Sequence, residues 1–288
     1  MGAQLAIGAA ALMAKSALKE GLSAPALAAW RLTIASAFVV GFHLYRKPVP
    51  AGAPLPSSDR AKLVVAGVCL SIHFVAWFAS LQYISVARST LLVTTAPLWT
   101  AIGGVLFASQ KLPGRFWAGL ALAGVGVYLV TVHGSSVANS SLTGDLLAIA
   151  GAIAIAAYLI ITQPYQLRHG TSRVIIWTYS AAAVATWISI PALHTTNIWP
   201  GTPLAWASVL GMAIFPQLIG HTALNWSLQH FPAGVVSAAT LLEPVFAGAL
   251  AWALLHEALT PIQLFGALVL LGGVGITLMK EVDGGGSR

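Results

Sequence analysis

Long apolar stretches separated by short polar segments run through the whole chain of 288 residues. A membrane-spanning helix needs about 20 mostly apolar residues. By that length the pattern predicts ten spans, at 3–19, 25–45, 62–80, 88–109, 115–132, 145–163, 173–191, 204–222, 234–255 and 262–280. Stretches such as GDLLAIAGAIAIAAYLIIT do not alternate between apolar and polar residues, so the spans are predicted to be helices and not barrel strands.

The composition supports a membrane protein. Hydrophobic residues make up 58% of the chain and charged residues 7%, whereas a soluble domain is about 25% charged. Such a chain lacks the polar side chains for an ordinary water-facing surface, and membrane lipid is its expected surrounding. The single cysteine, Cys69, excludes a disulfide within the chain.

Basic residues predict the orientation of the spans. Ten of the 14 Lys and Arg fall on one side of the ten-span arrangement: Arg46, Lys47, Arg60, Lys62, Lys111, Arg115, Arg168, Arg173, Lys280 and Arg288. The opposite loops hold Lys19 and Arg88, and the loops 133–144 and 192–203 hold no Lys or Arg. Because cytoplasmic loops are the basic ones, both termini are predicted to be cytoplasmic. The net charge of +7 is therefore attributed to orientation, and no nucleic-acid partner is expected.

The tripeptide Ser-Leu-Gln occurs at 80–82 and again at 227–229, an offset of 147 residues. The same offset relates Pro97 to Pro244, Gly119 to Gly266, and Gly126 to Gly273. These matches predict two five-helix repeats, at 1–135 and 142–282, followed by a flexible tail at 283–288. Because five is odd, the second repeat is inverted in the membrane, and inverted repeats are typical of secondary transporters.

The stretches VARSTLLVTTAPLWTAIGGVLF and PAGVVSAATLLEPVFAGALAWALLHEALTPIQLFGALVLLGGVGITLM resemble the two EamA-type halves of the drug/metabolite transporter superfamily. SAPALAAWRLTIASA resembles the second helix of that family, with its arginine at Arg31. The resemblance covers essentially the whole chain and implies ten helices, a central cavity and export of small metabolites, amino acids and aromatic amino acids among them. The family often has a glutamate after the fourth helix, as Glu257 stands after the ninth, but this chain has Gln110 there.

Polar and aromatic residues inside the spans are candidates for lining that cavity, because polar groups in lipid usually face the interior of the protein. His73 and Trp77 are spaced i, i+4 on the third span and share a face, as do Gln217, His221 and Asn225 on the eighth. The predicted substrate-binding residues are His73, Trp77, Tyr83, Trp99, Tyr158, Gln163, His221 and Asn225. The alternative for each is a hydrogen bond between helices.

Glu243 lies near the middle of the ninth span, where an unpaired carboxylate costs a few kcal/mol. It is predicted either to couple protons or bind a substrate amine, or else to pair with Lys15 or Arg31 or to cap backbone groups freed by Pro244. An alternative for Lys15 and Arg31 is that their long side chains extend to the membrane interface. Pro97 and Pro244 are predicted to interrupt their helices, as hinges or as static bends. Glycines 119, 124, 126, 266, 272, 273 and 275 are expected to allow close helix packing.

Motifs for enzymes and cofactors are missing from the sequence. HEALT at 256–260 begins like the zinc motif H-E-x-x-H, but Thr260 replaces the second histidine, and there is no P-loop. We therefore expect no enzyme, metal or cofactor, but a secondary transporter in the bacterial inner membrane. It is expected to export amino acids, with aromatic ones among the candidates, or similar small metabolites, by alternating access. An exporter of drugs or other metabolites and a channel or facilitator are the alternatives, and the choice between monomer and dimer stays open.

Overall fold

The computed structural model describes residues 2–46, 55–107, 109, 111–132, 141–246, 249 and 260–279. These residues form helices and turns, with no strand among them. The predictions on Gln110, Glu257 and the tail 283–288 lie outside the described residues. In chain order the α-helices are α1 (Gly2–Gly8), α2 (Ala10–Lys19), α3 (Ala24–Tyr45), α4 (Ser57–Tyr83), α5 (Val86–Val93), α6 (Ala96–Phe107), α7 (Gly114–Val132), α8 (Leu142–His169), α9 (Thr171–Ala192), α10 (Pro203–Met212), α11 (Thr222–Ser227), α12 (Ala233–Ala238) and α13 (Pro261–Leu278).

Within the described residues, six helical stretches are long and apolar enough to cross a membrane: Ala24–Tyr45, Ser57–Tyr83, Val86–Phe107, Leu142–His169, Thr171–Ala192 and Pro203–Ser227. Shorter apolar helices cover Gly114–Val130, Ala233–Phe246 and Pro261–Thr277. In lipid the backbone must satisfy its own hydrogen bonds, and a helix does so within one segment. The predicted class of all-helical membrane protein is confirmed.

Two spans are interrupted just before a proline. Between α5 and α6 the helix breaks at Thr94 and Thr95, two residues before Pro97. In the second half α12 passes into a 3-10 helix, Ala239–Leu242, which ends two residues before Pro244. A proline has no backbone N–H, so the carbonyl one turn earlier loses its helical partner and the helix is weakened there. The predicted interruptions are present.

A π-helix, Ala213–His221, joins α10 to α11 and contains Pro216. The apolar pattern did not predict it, because an apolar run does not distinguish a π-helix from an α-helix. π-helical turns are rare and are often found at functional sites. Here the π-helix packs against α1 and α3 and carries two of the polar residues discussed below.

The core lies where the two halves of the chain meet. There α4 packs against α8 and α9, and α3 against α9, while α2 packs against α10. The start of α3 is fixed by an aromatic cluster: Trp30 donates from Nε1 to the carbonyl of Ile198 at 2.9 Å and its ring lies 5.0–5.5 Å from those of Trp187, Trp199 and Trp206.

Helices α7 and α13 pack backbone to backbone. A Cβ atom added to Gly126 would lie 2.6 Å from the Cα of Leu270, and one added to Gly273 would lie 2.7 Å from the Cα of Ala123. Only a residue without a side chain fits such an approach. The expected close packing is wrong for three other glycines, around which a Cβ would meet open space: Gly124, Gly272 and Gly275.

Candidate functional site

A cavity of about 50 Å³ lies between the two halves. Helices α1, α4, α8 and α11, both interrupted spans and the end of the π-helix contribute to its wall. Its lining residues are Ile7, His73, Trp77, Val93, Thr94, Ala96, Ile155, Leu159, His221, Leu224, Ser237, Thr240 and Glu243. Four residues predicted from the sequence are therefore brought together here: His73, Trp77, His221 and Glu243.

His73 is held by the backbone of α8. Its Nδ1 lies 2.9 Å from the carbonyl oxygen of Gly151. A carbonyl only accepts hydrogen bonds, so Nδ1 carries the proton and donates it, and in a neutral ring Nε2 is left as an acceptor. Gly151 permits the approach, because a Cβ there would already lie 3.3 Å from the backbone of His73.

Trp77 lines the same cavity, and its indole nitrogen is buried. Its ring stacks on that of His73 at 5.8 Å, with 24° between the planes. The side chain is 3% exposed, and Nε1 has no hydrogen-bond partner among the described residues. A buried donor without a partner costs about 1–3 kcal/mol. This N–H can therefore serve an acceptor on a bound molecule.

Glu243 is the acidic residue of the cavity wall and is 7% exposed. The interruption before Pro244 places it beside Thr240, one turn earlier. Within the described parts of the chain, no Lys, Arg or His nitrogen forms an ion pair with its carboxylate at 4.0 Å or less. The predicted ion pair with Lys15 or Arg31 is thus not formed.

Arg31 lies behind the cavity wall and is completely buried. Its guanidinium carbon sits 4.0 Å from the ring centre of Phe74, and Nε donates to Oε1 of Gln217 at 3.0 Å. Nη1 and Nη2 have no hydrogen-bond partner in the described structure. Phe74 in turn packs edge-on against His221, with ring centres 5.2 Å apart. His221 lines the cavity and Arg31 does not. The guanidinium of Arg31 is therefore separated from the cavity wall by the ring of Phe74.

Asn225 and Tyr158 belong to a hydrogen-bond network outside the cavity. Oδ1 of Asn225 accepts from the Tyr158 hydroxyl at 2.7 Å and from Nε2 of Gln166 at 2.8 Å, and its Nδ2 donates to the carbonyl of His221. Asn225 and Tyr158 are therefore not among the lining residues of this cavity and form the hydrogen bonds between helices that were the alternative. The i, i+4 argument assumed an α-helix, but Gln217 and His221 both lie in the π-helix, where that spacing does not place two residues on one face.

The remaining predicted residues lie elsewhere. Tyr83 and Lys15 border a separate cavity of about 580 Å³ between α2 and the corner that joins α4 to α5. Lys15 donates there to the carbonyl of Leu81. Trp99 donates to Oγ1 of Thr95 at 3.1 Å, and Gln163 donates to the carbonyl of Phe231 at 3.2 Å. These four residues do not line the central cavity.

Three hydroxyl residues of the cavity were missed: Thr94, Ser237 and Thr240. The offset of 147 residues between the predicted repeats could have pointed to Thr240. Three pairs of lining residues are each 147 positions apart: Trp77 with Leu224, Val93 with Thr240, and Ala96 with Glu243. Each pair combines an apolar member with a polar or amphipathic one, so the two sides of the cavity differ chemically. Among the described residues, no group of His, Cys, Asp and Glu could hold a metal ion.

Apolar helices around a small, partly polar cavity define a multi-pass membrane protein. A model described as the EamA-like transporter family matches residues 1–132 and 142–279. The chain therefore belongs to the EamA-like transporter family, within the drug/metabolite transporter superfamily that the sequence resembles.

Several named relatives are exporters. The threonine/homoserine exporter RhtA of Escherichia coli (strain K12) is 27% identical over 285 residues, which cover 97% of this chain and 90% of that protein. The pseudopaline exporter CntI of Pseudomonas aeruginosa (strain UCBPP-PA14) is 24% identical, with 80% of each chain covered. A protein of known crystal structure superposes with a TM-score of 0.74 over 96% of both chains, at 18% identity. That likeness shows the fold alone.

Proposed function

We propose that this protein is a secondary transporter that exports amino acids or similar small metabolites across the bacterial inner membrane by alternating access. The observation that carries the proposal is the cavity at the junction of the halves, lined by the three pairs of residues 147 positions apart. Membership of the EamA-like family and the exporters among its relatives support the direction and the class of substrate.

The helix bounds support ten spans in two inverted repeats. Shifted back by 147 positions, α9 (Thr171–Ala192) falls on residues 24–45, the bounds of α3. The same shift carries the start of α12 onto the start of α5, and the start of α13 onto the start of α7. In this arrangement residues 2–19 and 142–169 are equivalent first spans.

Contacts between the halves support a two-fold axis. A Cβ on Gly119 would lie 2.8 Å from the backbone nitrogen of Thr277, and a Cβ on Gly266 would lie 3.0 Å from that of Val130. The offset exchanges these two contacts with each other. Reciprocal contacts of this kind are what a two-fold axis produces. With five spans in each half, such an axis lies in the membrane plane, and the halves can exchange their conformations during transport.

The chemistry of the cavity suits the zwitterion of an amino acid. In our proposal the carboxylate of Glu243 binds the substrate ammonium, and the Trp77 N–H donates to the substrate carboxylate. Nε2 of His73 and the nearby hydroxyl groups complete the hydrogen bonds to polar parts of the substrate. The buried charge of Arg31 favours a negative group on its side of the cavity, because charges interact strongly where water is excluded.

The volume of the cavity bears on the size of the substrate and on motion. About 50 Å³ accommodates a few water molecules, whereas sites for small molecules measure about 300–1,000 Å³. The walls must therefore move apart before a substrate binds. A small amino acid needs less movement than an aromatic one, which favours threonine-sized substrates over the aromatic branch of the family.

Transport into proteoliposomes tests the proposal. Purified protein is reconstituted, and uptake of labelled threonine, homoserine and phenylalanine is measured with and without unlabelled amino acid inside the vesicles. We expect saturable uptake that internal substrate accelerates, with threonine or homoserine preferred. Uptake that rises linearly with concentration and ignores internal substrate would identify a channel. A folded protein that transports other metabolites but no amino acid would overturn the substrate assignment.

A further inference from the structure

A third cavity, of about 310 Å³, lies between the interrupted span α5–α6 and helix α7. Leu241, from the 3-10 helix of the second half, contributes to its wall. The described residues that line it are Leu91, Thr94, Thr95, Leu98, Trp117, Leu120, Ala121, Gly124, Val127 and Leu241. No charged residue is among them, and its volume is within the range of small-molecule sites.

The two hydroxyl groups in this wall are already engaged. Oγ1 of Thr94 donates to the carbonyl of Leu91 at 2.9 Å, and Oγ1 of Thr95 donates to the carbonyl of Leu92 at 2.7 Å. Oγ1 of Thr95 also accepts from the Trp99 indole at 3.1 Å. A polar ligand would lose its hydrogen bonds to water and gain little in return. The wall therefore selects an apolar occupant.

The position of the cavity identifies the source of such an occupant. Thr94 and Thr95 are close to the centre of the span Val86–Phe107, and Leu120 to Gly124 are close to the centre of α7. The side chains at the rim are open to the outside, with Leu98 40% exposed. At this depth the surroundings of a spanning helix are lipid hydrocarbon and not water.

We propose that this cavity binds an acyl chain of a membrane lipid, entering from the side between α6 and α7. Thr94 lines both this cavity and the central one. A bound chain would thus pack directly behind the wall of the central cavity, at the interruption that precedes Pro97. Binding of an acyl chain here depends on the apolar wall and on the depth of the cavity in the membrane. It does not depend on which substrate is transported.

Trp117 provides a reporter, because it lines the cavity. The protein is placed in nanodiscs in which a fraction of the lipid carries bromine near the middle of one chain, since bromine quenches indole fluorescence at contact. The difference between wild type and Trp117→Phe isolates the Trp117 emission from the other tryptophans. We expect strong quenching that saturates at a low fraction of brominated lipid, as for a defined binding site.

Filling the cavity supplies the decisive comparison. Gly124 lines it, and a Cβ there would meet no atom within 4 Å, so Gly124→Leu can occupy the space of the chain. Its quenching of Trp117 should fall by about half, while Val125→Leu, at a 53% exposed position outside the lining, should match wild type. Ala121→Leu repeats the test if Gly124→Leu does not fold. Unchanged quenching in the filled variants, or stronger quenching by a water-soluble agent than by brominated lipid, would overturn the proposal.

Discussion

Arg88 and Asp145 form a two-pronged ion pair that joins α5 in the first half to the first turn of α8 in the second. Nε donates to Oδ1 at 2.7 Å and Nη2 donates to Oδ2 at 2.6 Å. At the other end of α8, His169 lies 2.8 Å from a carboxylate oxygen of Asp59. Helix α8 is therefore tied to the first half at both of its ends.

Exchange of the charges of the first pair tests whether it takes part in transport. The side chains of Arg88 and Asp145 are 38% and 19% exposed, and pairs near the surface contribute about 0–1 kcal/mol to stability. We expect Arg88→Asp and Asp145→Arg each to reduce the rate of counterflow with little loss of thermal stability. The double variant should recover part of the rate. Recovery will be incomplete, because an arginine in the first turn of α8 opposes the helix dipole.

The second pair serves as the control for position. Asp59→Asn weakens the pair with His169 at the opposite end of α8. In the proposed alternating-access cycle, this change should affect opening toward the opposite side of the membrane from the change at Arg88 and Asp145. If the double charge exchange transports no better than the single variants, the ion pair between Arg88 and Asp145 has no role in transport.

Trp77→Phe should weaken substrate binding without disturbing the fold. The change keeps an aromatic ring beside His73, but it removes the indole N–H together with part of the ring system, so thermal unfolding in detergent is compared first to show that the fold is retained. Loss of one hydrogen bond of about 0.5–1.5 kcal/mol corresponds to an increase in KM of roughly 2- to 13-fold. Uptake measured against concentration checks this. Trp226→Phe makes the same change at a 54% exposed tryptophan outside the cavity lining and should leave KM near the wild-type value.

Glu243→Gln should change how transport depends on pH. As pH falls, protonation of Glu243 removes the negative charge that binds the ammonium group, so wild-type affinity should decline toward acidic pH. The glutamine variant should bind weakly at every pH and show a flatter profile. His73 and His221 face the same cavity and Arg31 lies behind it, so any slope that remains belongs to the histidines. A wild-type profile in Glu243→Gln would contradict the assigned role.

Substitution of two glycines of α7 by alanine should have opposite effects on the stability of the protein. A Cβ at position 126 would collide with the backbone of Leu270, whereas one at position 124 would meet open space. We expect Gly126→Ala to destabilise the protein by about 1–3 kcal/mol, as overpacking does. Gly124→Ala should be neutral or stabilise by up to about 1 kcal/mol, because alanine favours the helix. Thermal unfolding in the same detergent compares them, and equal unfolding temperatures would refute the backbone-to-backbone packing of α7 and α13.

The apolar pattern predicted an all-helical membrane protein, because lipid selects for apolar side chains along each membrane-crossing helix. The predicted ends differ from the observed helix ends, because the backbone hydrogen bonds of a helix continue beyond the hydrocarbon core of the membrane. Helix α4 begins at Ser57, five residues before the predicted span, in a polar stretch that hydropathy excludes. The π-helix was missed for a related reason: hydropathy reports the environment of side chains and not the number of residues in a turn.

The candidate site was predicted in part. Bulky or ionisable residues such as His73 and Glu243 are uncommon in apolar spans, so they stood out in the sequence. Thr94 and Thr240 did not, because threonines in spans usually bond to their own helix, as both do here. Arg31 also stood out, but its partner was misjudged, since stacking on an aromatic ring such as Phe74 leaves no distinctive sequence pattern.

The reciprocal seam between α7 and α13 has a consequence for the ancestry and chemistry of the chain. Each contact that the offset exchanges is of the kind found at an isologous interface, where the same patch on two identical subunits meets itself. In the proposed repeat, this single polypeptide is a homodimer fused end to end. Two identical subunits would place a carboxylate on both sides of the axis, where like charges repel. Fusion allows an alanine at position 96 and a glutamate at position 243 of the same cavity, and in the proposed repeat it so permits a single acid where symmetry would have required two.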